Sequence, residues 1–331
     1  MIGFSTRTHQ EMSLVILAQK ALQPYYAGNK NTGNQYEIVF ILWLLRHMGL
    51  TNADVDSLAD YLAVVRGHNP KFVEGWLTVL KGLPVGTGLV LEGSPVVDLR
   101  NVTQDDGDGG TGDVVVVLAN GQERSISVEE GAAKRDGSIS KCLSNPSCKR
   151  FGCSDAMIAD FKAAAAVAVD EYKAEMTGLY GTSTDLWPAR VKTKAQNKCI
   201  AHIAASTCAH FNGLDAAAQT AILSDLMQVT GGSKPADYLG LVSADLKKVS
   251  VWCFGALKVR PSDYVLAVKG DFLNVVHRVT GDVIGQTQVK FNNGVYKKDK
   301  KDGKWKTSSV TSSWNGNFAL SKVFTMGRVA I

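Results

Sequence analysis

Residues 113–118 read DVVVVL; Asn120-Gly121 follows, and then RSISVEE over 124–130. Consecutive β-branched side chains crowd the preceding turn of a helix and suit an extended chain. A run that is apolar at every position, rather than at alternate ones, marks a strand covered on both faces. Asn-Gly between two strand-like runs is a strong hairpin signal, because both residues tolerate positive φ. The segment therefore predicts a β-hairpin at the centre of a layered sheet, and the rest of the chain has to be arranged around it.

Two registers are open for this hairpin. With Gly121 left-handed at the end of a three-residue turn, Asp113 faces Ser127 and lies beside Glu129. With Asn120 and Gly121 as a two-residue turn, Glu130 becomes the nearer neighbour. Either way carboxylates meet at one end of the sheet, where they repel unless a positive group lies between them. The commonest such group for oxygen ligands is a hard divalent cation. Magnesium there orients a water molecule and lowers its pKa, which is hydrolytic chemistry on a phosphodiester. The acidic run QDDGDGG (104–110) lacks the spacing of a calcium loop and reads as a solvated turn.

A chain of 331 residues, 45% of them hydrophobic, buries a substantial core. NQYEIVFILWLLRHMGL (34–50) is apolar almost all round and stops at a glycine, as a deeply packed helix does. Helical spacing continues in 52–67 and 69–83, so the N-terminal third is expected to be mainly helical. A long alanine-rich helix capped by Ser154 and another over 214–232 follow, and short strands dominate from 249 onward. This order predicts a mixed α/β, or α+β, fold: a central mixed sheet flanked by helices, with a C-terminal β-rich basic region. The expected division is a core over 1–250 and a continuous β-rich region over 251–331. No apolar stretch approaches a membrane span and the N-terminus lacks a leader pattern, so a soluble cytoplasmic protein is expected. Cys142, Cys148 and Cys153 are spaced too loosely for a usual zinc site, and Cys199 and Cys208 add no tight pair. Buried or incidental thiols are the expectation.

The charge balance, 36 Lys and Arg against 31 Asp and Glu, permits an anionic partner without requiring one. Its distribution is more telling. Residues 290–318 hold seven lysines, Lys290, Lys297, Lys298, Lys300, Lys301, Lys304 and Lys306, interleaved with Tyr296, Trp305 and Trp314. An Asp-Gly turn at 302–303 predicts a ribbon that projects positive charge, suited to a DNA backbone. Arg278, Gln286, Gln288, Asn292, Asn293 and His277 are of types that read base edges.

An acidic residue at the mouth of one strand, a hairpin, and an acidic residue near the end of the next strand resemble the core of the PD-(D/E)XK nuclease superfamily. There a glutamate on an earlier helix often joins the metal site, and the match is Glu37 in NTGNQYEIVF (31–40). The layout is similar to type II restriction endonucleases of the HaeIII-like group, with an early N-x-G-type helix and a late strand like VVHRVTG (275–281). The resemblance implies a magnesium-dependent homodimer that cleaves double-stranded DNA. Glu37, Asp113 and Glu129 would hold metal, with Glu130 or Lys134 assisting the attacking water. Lys297, Lys298, Lys300, Lys301, Lys304, Lys306, Arg278 and Gln288 would contact DNA. The chain departs from the pattern at two places. Gly112 stands where the family often has proline, and Ser127-Val128-Glu129 replaces acid-x-Lys, so a glutamate stands where the lysine is expected. A repair or junction nuclease with the same core is one alternative, and a DNA-binding protein without catalysis is another. No G-x-S-x-G, Walker A or H-E-x-x-H motif occurs, which removes those hydrolase, ATPase and zincin classes.

Overall fold

The computed structural model describes residues 13–24, 33–58, 61, 77–102, 113–131, 140–141, 146–184, 187, 193–245, 247–291, 294–298, 305–312 and 314–331. The fold is mixed α+β. It divides into two compact units, one of residues 1–134, 234–255 and 326–331, the other of 135–233 and 256–325. This differs from the expected division at 250, because strands from three separate stretches of chain complete the sheet of the first unit.

In the first unit α1 (Leu14–Leu22), α2 (Gly33–Met48) and α3 (Asn52–Ser57) precede β1 (Val90–Leu91), β2 (Ser94–Asn101), β3 (Val114–Leu118) and β4 (Glu123–Glu130). β6 (Tyr238–Val242), β7 (Val249–Leu257) and β14 (Phe324–Val329) finish a seven-stranded sheet in the order β1-β2-β3-β4-β6-β7-β14. The expected hairpin is β3–β4, at its centre. β2, β3 and β4 form an antiparallel meander, whereas β6 runs parallel to β4. The register is the one with Gly121 left-handed: its φ is 81°, and Val114 pairs with Ile126. Asn120 Oδ1 accepts from the Gln122 N–H at 3.0 Å, which braces the turn. Val114 and Val116 are fully buried, but Val115 and Val117 are only half-buried, so the second face of β3 is less covered than four valines suggest.

Helix α2 packs on β4 and β6. Its Phe40 ring lies against the backbone of Gly240, where a Cβ would meet the ring at 2.4 Å. A side chain there forces a fully buried ring to move. Gly240→Ala is therefore expected to lower stability by about 1–3 kcal/mol, read as a shift in the denaturant midpoint without a change in slope. The expected helices over 52–67 and 69–83 lie largely outside the described residues, apart from Asn52–Ser57 and the helical residues 77–82; β1 and β2 occupy the end of the N-terminal third, where helix was expected. Pro95 and a register shift between Val96 and Asp98 interrupt the strand pattern there.

The β1–β2 turn is Glu92-Gly93, with φ of 53° and 76°, the geometry of a two-residue hairpin. Glu92 is also a tie to the sheet's centre. It accepts from Arg124 Nε at 3.0 Å and Nη2 at 2.5 Å, and from the Tyr238 hydroxyl at 2.6 Å. The Arg124 hydrogen bonds, then that of Tyr238, hold its carboxyl down at about 2. A depressed carboxylate pKa stabilises the fold above the unfolded value of 4.5, and the contribution is lost as pH falls towards about 2. The Glu92 side chain is 43% exposed, so screening limits the effect to about 1 kcal/mol or less. Glu92→Gln should be less stable than wild type near neutral pH, and the gap should close in denaturation series taken towards about pH 2.

The second unit holds β5 (Ser140–Lys141), α4 (Asp155–Tyr180), α5 (Lys194–Gly213), α6 (Ala216–Leu226) and α7 (Leu320–Val323). Its five-stranded sheet has the order β5-β13-β10-β9-β8, from β8 (Tyr264–Lys269), β9 (Phe272–His277), β10 (Val283–Gln288) and β13 (Asn315–Ala319). The Ser154 hydroxyl caps α4 by accepting from the Met157 N–H at 3.3 Å, as expected from sequence. α6 begins one residue after Asp215, its N-cap, and ends before the glycine pair 231–232. β11 (Tyr296–Lys298) and β12 (Trp305–Thr307) form a separate two-stranded ribbon. Among the described residues no helix is long and apolar enough to cross a membrane.

Candidate active site and basic ribbon

Asp113 sits one residue before β3, and its carboxylate continues the ladder that the backbone starts. Its Oδ2 accepts from the Val128 N–H at 2.5 Å and from the Ser127 hydroxyl at 3.2 Å. Its own N–H donates to the Ile126 carbonyl at 2.9 Å, and its carbonyl accepts from Val102 at 3.0 Å. The aspartate is thus bound to both neighbouring strands at the sheet's middle. Charge-assisted bonds of this kind are short and hold a carboxylate in one orientation.

Strand alternation sorts the glutamates. Val128 pairs with Gly240 in the parallel ladder, and Gly240 faces Phe40, so Val128 and Glu130 look towards α2. Ser127 and Glu129 look the other way. Glu130 accepts a hydrogen bond from Tyr36 in the first turn of α2. Burial first, and then this bond, push the Tyr36 hydroxyl up to about 12. Glu37 follows Tyr36, stands one turn before Phe40, and is 8% exposed. Asp113 contacts Ser127, which shares its face with Glu129, whereas Glu37 lies on the helix that covers the face of Glu130. Asp113, Glu129 and Glu130 lie at the same end of the β3–β4 pair. Lys134 lies outside the described residues.

Among the described residues no three His, Cys, Asp or Glu side chains come together as a group that would hold a metal ion. Magnesium does not need three. It keeps several waters and is usually bound through one or two carboxylates. The hard oxygen donors of Asp113 and Glu129 at the strand ends fit that requirement by type. The sequence did not single out Tyr36 or the Val128 N–H; the signal for the first is its place beside Glu37 on the helix, and the second is a backbone group with no sequence signal.

The basic ribbon forms as expected at its base, with Lys297 opposite Lys306 and Lys298 opposite Trp305. Lys300, Lys301 and Lys304, and Asn292 and Asn293, lie outside the described residues. The interleaved aromatics serve packing. Tyr296 and Trp305 stack at 5.1 Å, and Trp187 meets them at 6.4 and 5.7 Å. The Lys173 ammonium on α4 lies 5.0 Å from the centre of the Tyr296 ring. Trp314 is fully buried and donates to the Val310 carbonyl at 2.8 Å. These contacts anchor the aromatic side chains of the ribbon.

The expected base readers are already engaged. Arg278 Nε donates to the Ser262 carbonyl at 3.1 Å and Nη2 donates to Gln219 Oε1. Gln288 donates to Asp271 at 2.7 Å and Gln286 to Asn274 at 3.1 Å. His277 Nδ1 accepts from the N–H groups of Val279 and Thr280, which shapes the turn after β9. To read a base, each of these side chains would first give up a bond within the fold.

No family model, no curated protein and no solved structure matches the chain.

Proposed function

We propose that the chain is a magnesium-dependent endonuclease that hydrolyses phosphodiester bonds of double-stranded DNA and works as a homodimer on a short palindromic sequence, in the manner of type II restriction enzymes. The observation that supports this reading is the junction of β3 and β4, where Asp113 is bound beside the strand face that carries Glu129. Asp113 and Glu129 would hold the cation, and Glu129 rather than Glu130 is the partner because it shares the strand face of Ser127, which Asp113 contacts, whereas Glu130 looks towards α2. Bound magnesium would supply a water of lowered pKa and neutralise charge on the scissile phosphate. Glu37, on α2, would be the helix carboxylate that joins them, as the resemblance implies. The β11–β12 ribbon would contact phosphates through Lys297, Lys298 and Lys306, together with Lys300, Lys301 and Lys304 from the intervening sequence.

A DNA-binding protein without catalysis is favoured by a different observation: the Asp113 carboxylate already completes a β-ladder, which is a sufficient structural reason for an aspartate there. Incubation with supercoiled plasmid, with magnesium and then with EDTA, separates the readings. Discrete magnesium-dependent fragments are the expected result. Cleavage confined to branched DNA indicates a repair or junction nuclease. DNA binding with no cleavage under either condition overturns both enzymatic readings.

A further inference from the structure

We propose that Cys148 and Cys153 form a peroxide-reactive dithiol that closes to a disulfide. They stand at the two ends of a turn that leads into α4, and the Cys153 N–H donates to the Cys148 carbonyl at 3.1 Å, which folds the turn back on itself. The thiols are within hydrogen-bonding reach of each other, both free and both buried. The turn is fastened to α5 at two points: Cys153 Sγ is 3.7 Å from Thr207 Oγ1, and His210 Nε2 is 2.8 Å from the Gly152 carbonyl oxygen. Phe151, between the cysteines, is buried against Phe211 and Trp314 with ring centres 6.4 and 6.1 Å away. Gly152 has a φ of 84°, which favours glycine and sets the bend that brings the sulfurs together.

The environment divides the labour between the two sulfurs. The hydrogen bond from Cys148 brings the Cys153 thiol down, opposed by burial and aided by the Thr207 hydroxyl and nearby His210. The same bond, with burial, pushes Cys148 upward. Cys153, whose sulfur also lies 3.7 Å from the Thr207 hydroxyl, is assigned as the attacking sulfur and Cys148 as the resolving one. The Cys153 thiolate attacks one oxygen of hydrogen peroxide, the O–O bond breaks, and the departing hydroxide takes up a proton to become water. Cys153 is left as a sulfenic acid. The Cys148 sulfur then attacks that sulfur, the S–S bond forms as the S–O bond breaks, and the departing hydroxide leaves with the Cys148 proton as a second water. Two thiols and one peroxide give one disulfide and two waters, the two electrons passing from sulfur to the peroxide oxygens. Burial shields the pair from bulky disulfides, so that a water-sized oxidant would reach it only on local opening of the turn.

The test uses the whole protein, treated with equimolar hydrogen peroxide, then denatured, alkylated and digested with trypsin, which cuts at Lys149 and Arg150 between the two cysteines. The expected product is a cross-linked pair of peptides about 2 Da lighter than their reduced sum, lost on treatment with a dithiol reductant. It should persist in Cys142→Ser, because Cys142 shares a peptide with Cys148. In Cys148→Ser, dimedone should trap a sulfenic acid at Cys153 at least about tenfold faster than at Cys199, whose thiol burial pushes up to about 11. Full alkylation of both cysteines after peroxide, loss of the cross-link in Cys142→Ser, or preferential labelling of Cys199, Cys208 or Cys253 would overturn the proposal.

Discussion

Asp113→Asn is expected to fold nearly as well as wild type and, on the proposed nuclease function, to lose DNA cleavage by more than about 100-fold. The side-chain carbonyl of asparagine accepts hydrogen bonds as a carboxylate oxygen does, so the N–H of buried Val128 and the Ser127 hydroxyl keep a partner. What disappears is the negative charge that would hold magnesium. Asp113→Ala removes both. It should show the same loss of cleavage together with about 1–3 kcal/mol of lost stability, because the Val128 N–H is then buried without an acceptor. Measuring chemical denaturation and plasmid cleavage on both variants separates the two roles of one side chain. Cleavage that survives in the asparagine variant would show that Asp113 only completes the ladder.

The second large effect belongs to Arg46, which is 2% exposed at the C-terminal end of α2. Its guanidinium donates to the Leu50 carbonyl at 2.6 Å, to the Leu83 carbonyl at 2.7 and 3.1 Å, to the Lys81 carbonyl at 3.4 Å and to Asn52 Oδ1 at 2.8 Å. A planar fork with five donors fits this ring of acceptors, and each partner is a group that the end of a helix or loop otherwise leaves without one. Arg46→Ala should cost about 3–5 kcal/mol, from several orphaned carbonyls and the lost stem packing. Arg46→Lys, which keeps the charge but not the fork, should recover less than half of that loss. Guanidinium or thermal unfolding of the three proteins gives the ranking. An alanine variant within about 0.5 kcal/mol of wild type would mean that water replaces the guanidinium at every acceptor.

The β3–β4 hairpin and its register were legible because they are written in local chemistry: β-branched runs, an Asn-Gly turn and a glycine in the left-handed region. Two registers remained open in the sequence, since they differ only in the φ/ψ of Asn120 and Gly121. β6 was not legible. YLGLV is a short apolar run that fits a helix as well as a strand, and its partner β4 lies about a hundred residues earlier. The two faces of the candidate site depend on that invisible strand, because Gly240 and Phe40 identify the side on which α2 lies. The roles of Arg278 and Gln288 were hidden for the same reason. Nothing near them in sequence indicates that Gln219, Ser262 and Asp271 have already engaged their polar groups.

The parallel pairing of β4 with β6 also sets a timetable for synthesis. The ribosome finishes β4 roughly 5 to 20 s before it delivers β6, and through that interval the central strand of the first unit has an open edge. The nascent chain carries β-rich, valine-loaded backbone with hydrogen-bonding groups exposed, while the intervening segment is free to fold into helices α4, α5 and α6. The unit whose translation starts first is thus completed last, when β14 joins the sheet from the far end of the chain. Premature termination between β4 and β6 leaves a truncated polypeptide with an unpaired strand at the middle of its half-built sheet, a template for association with other copies of itself.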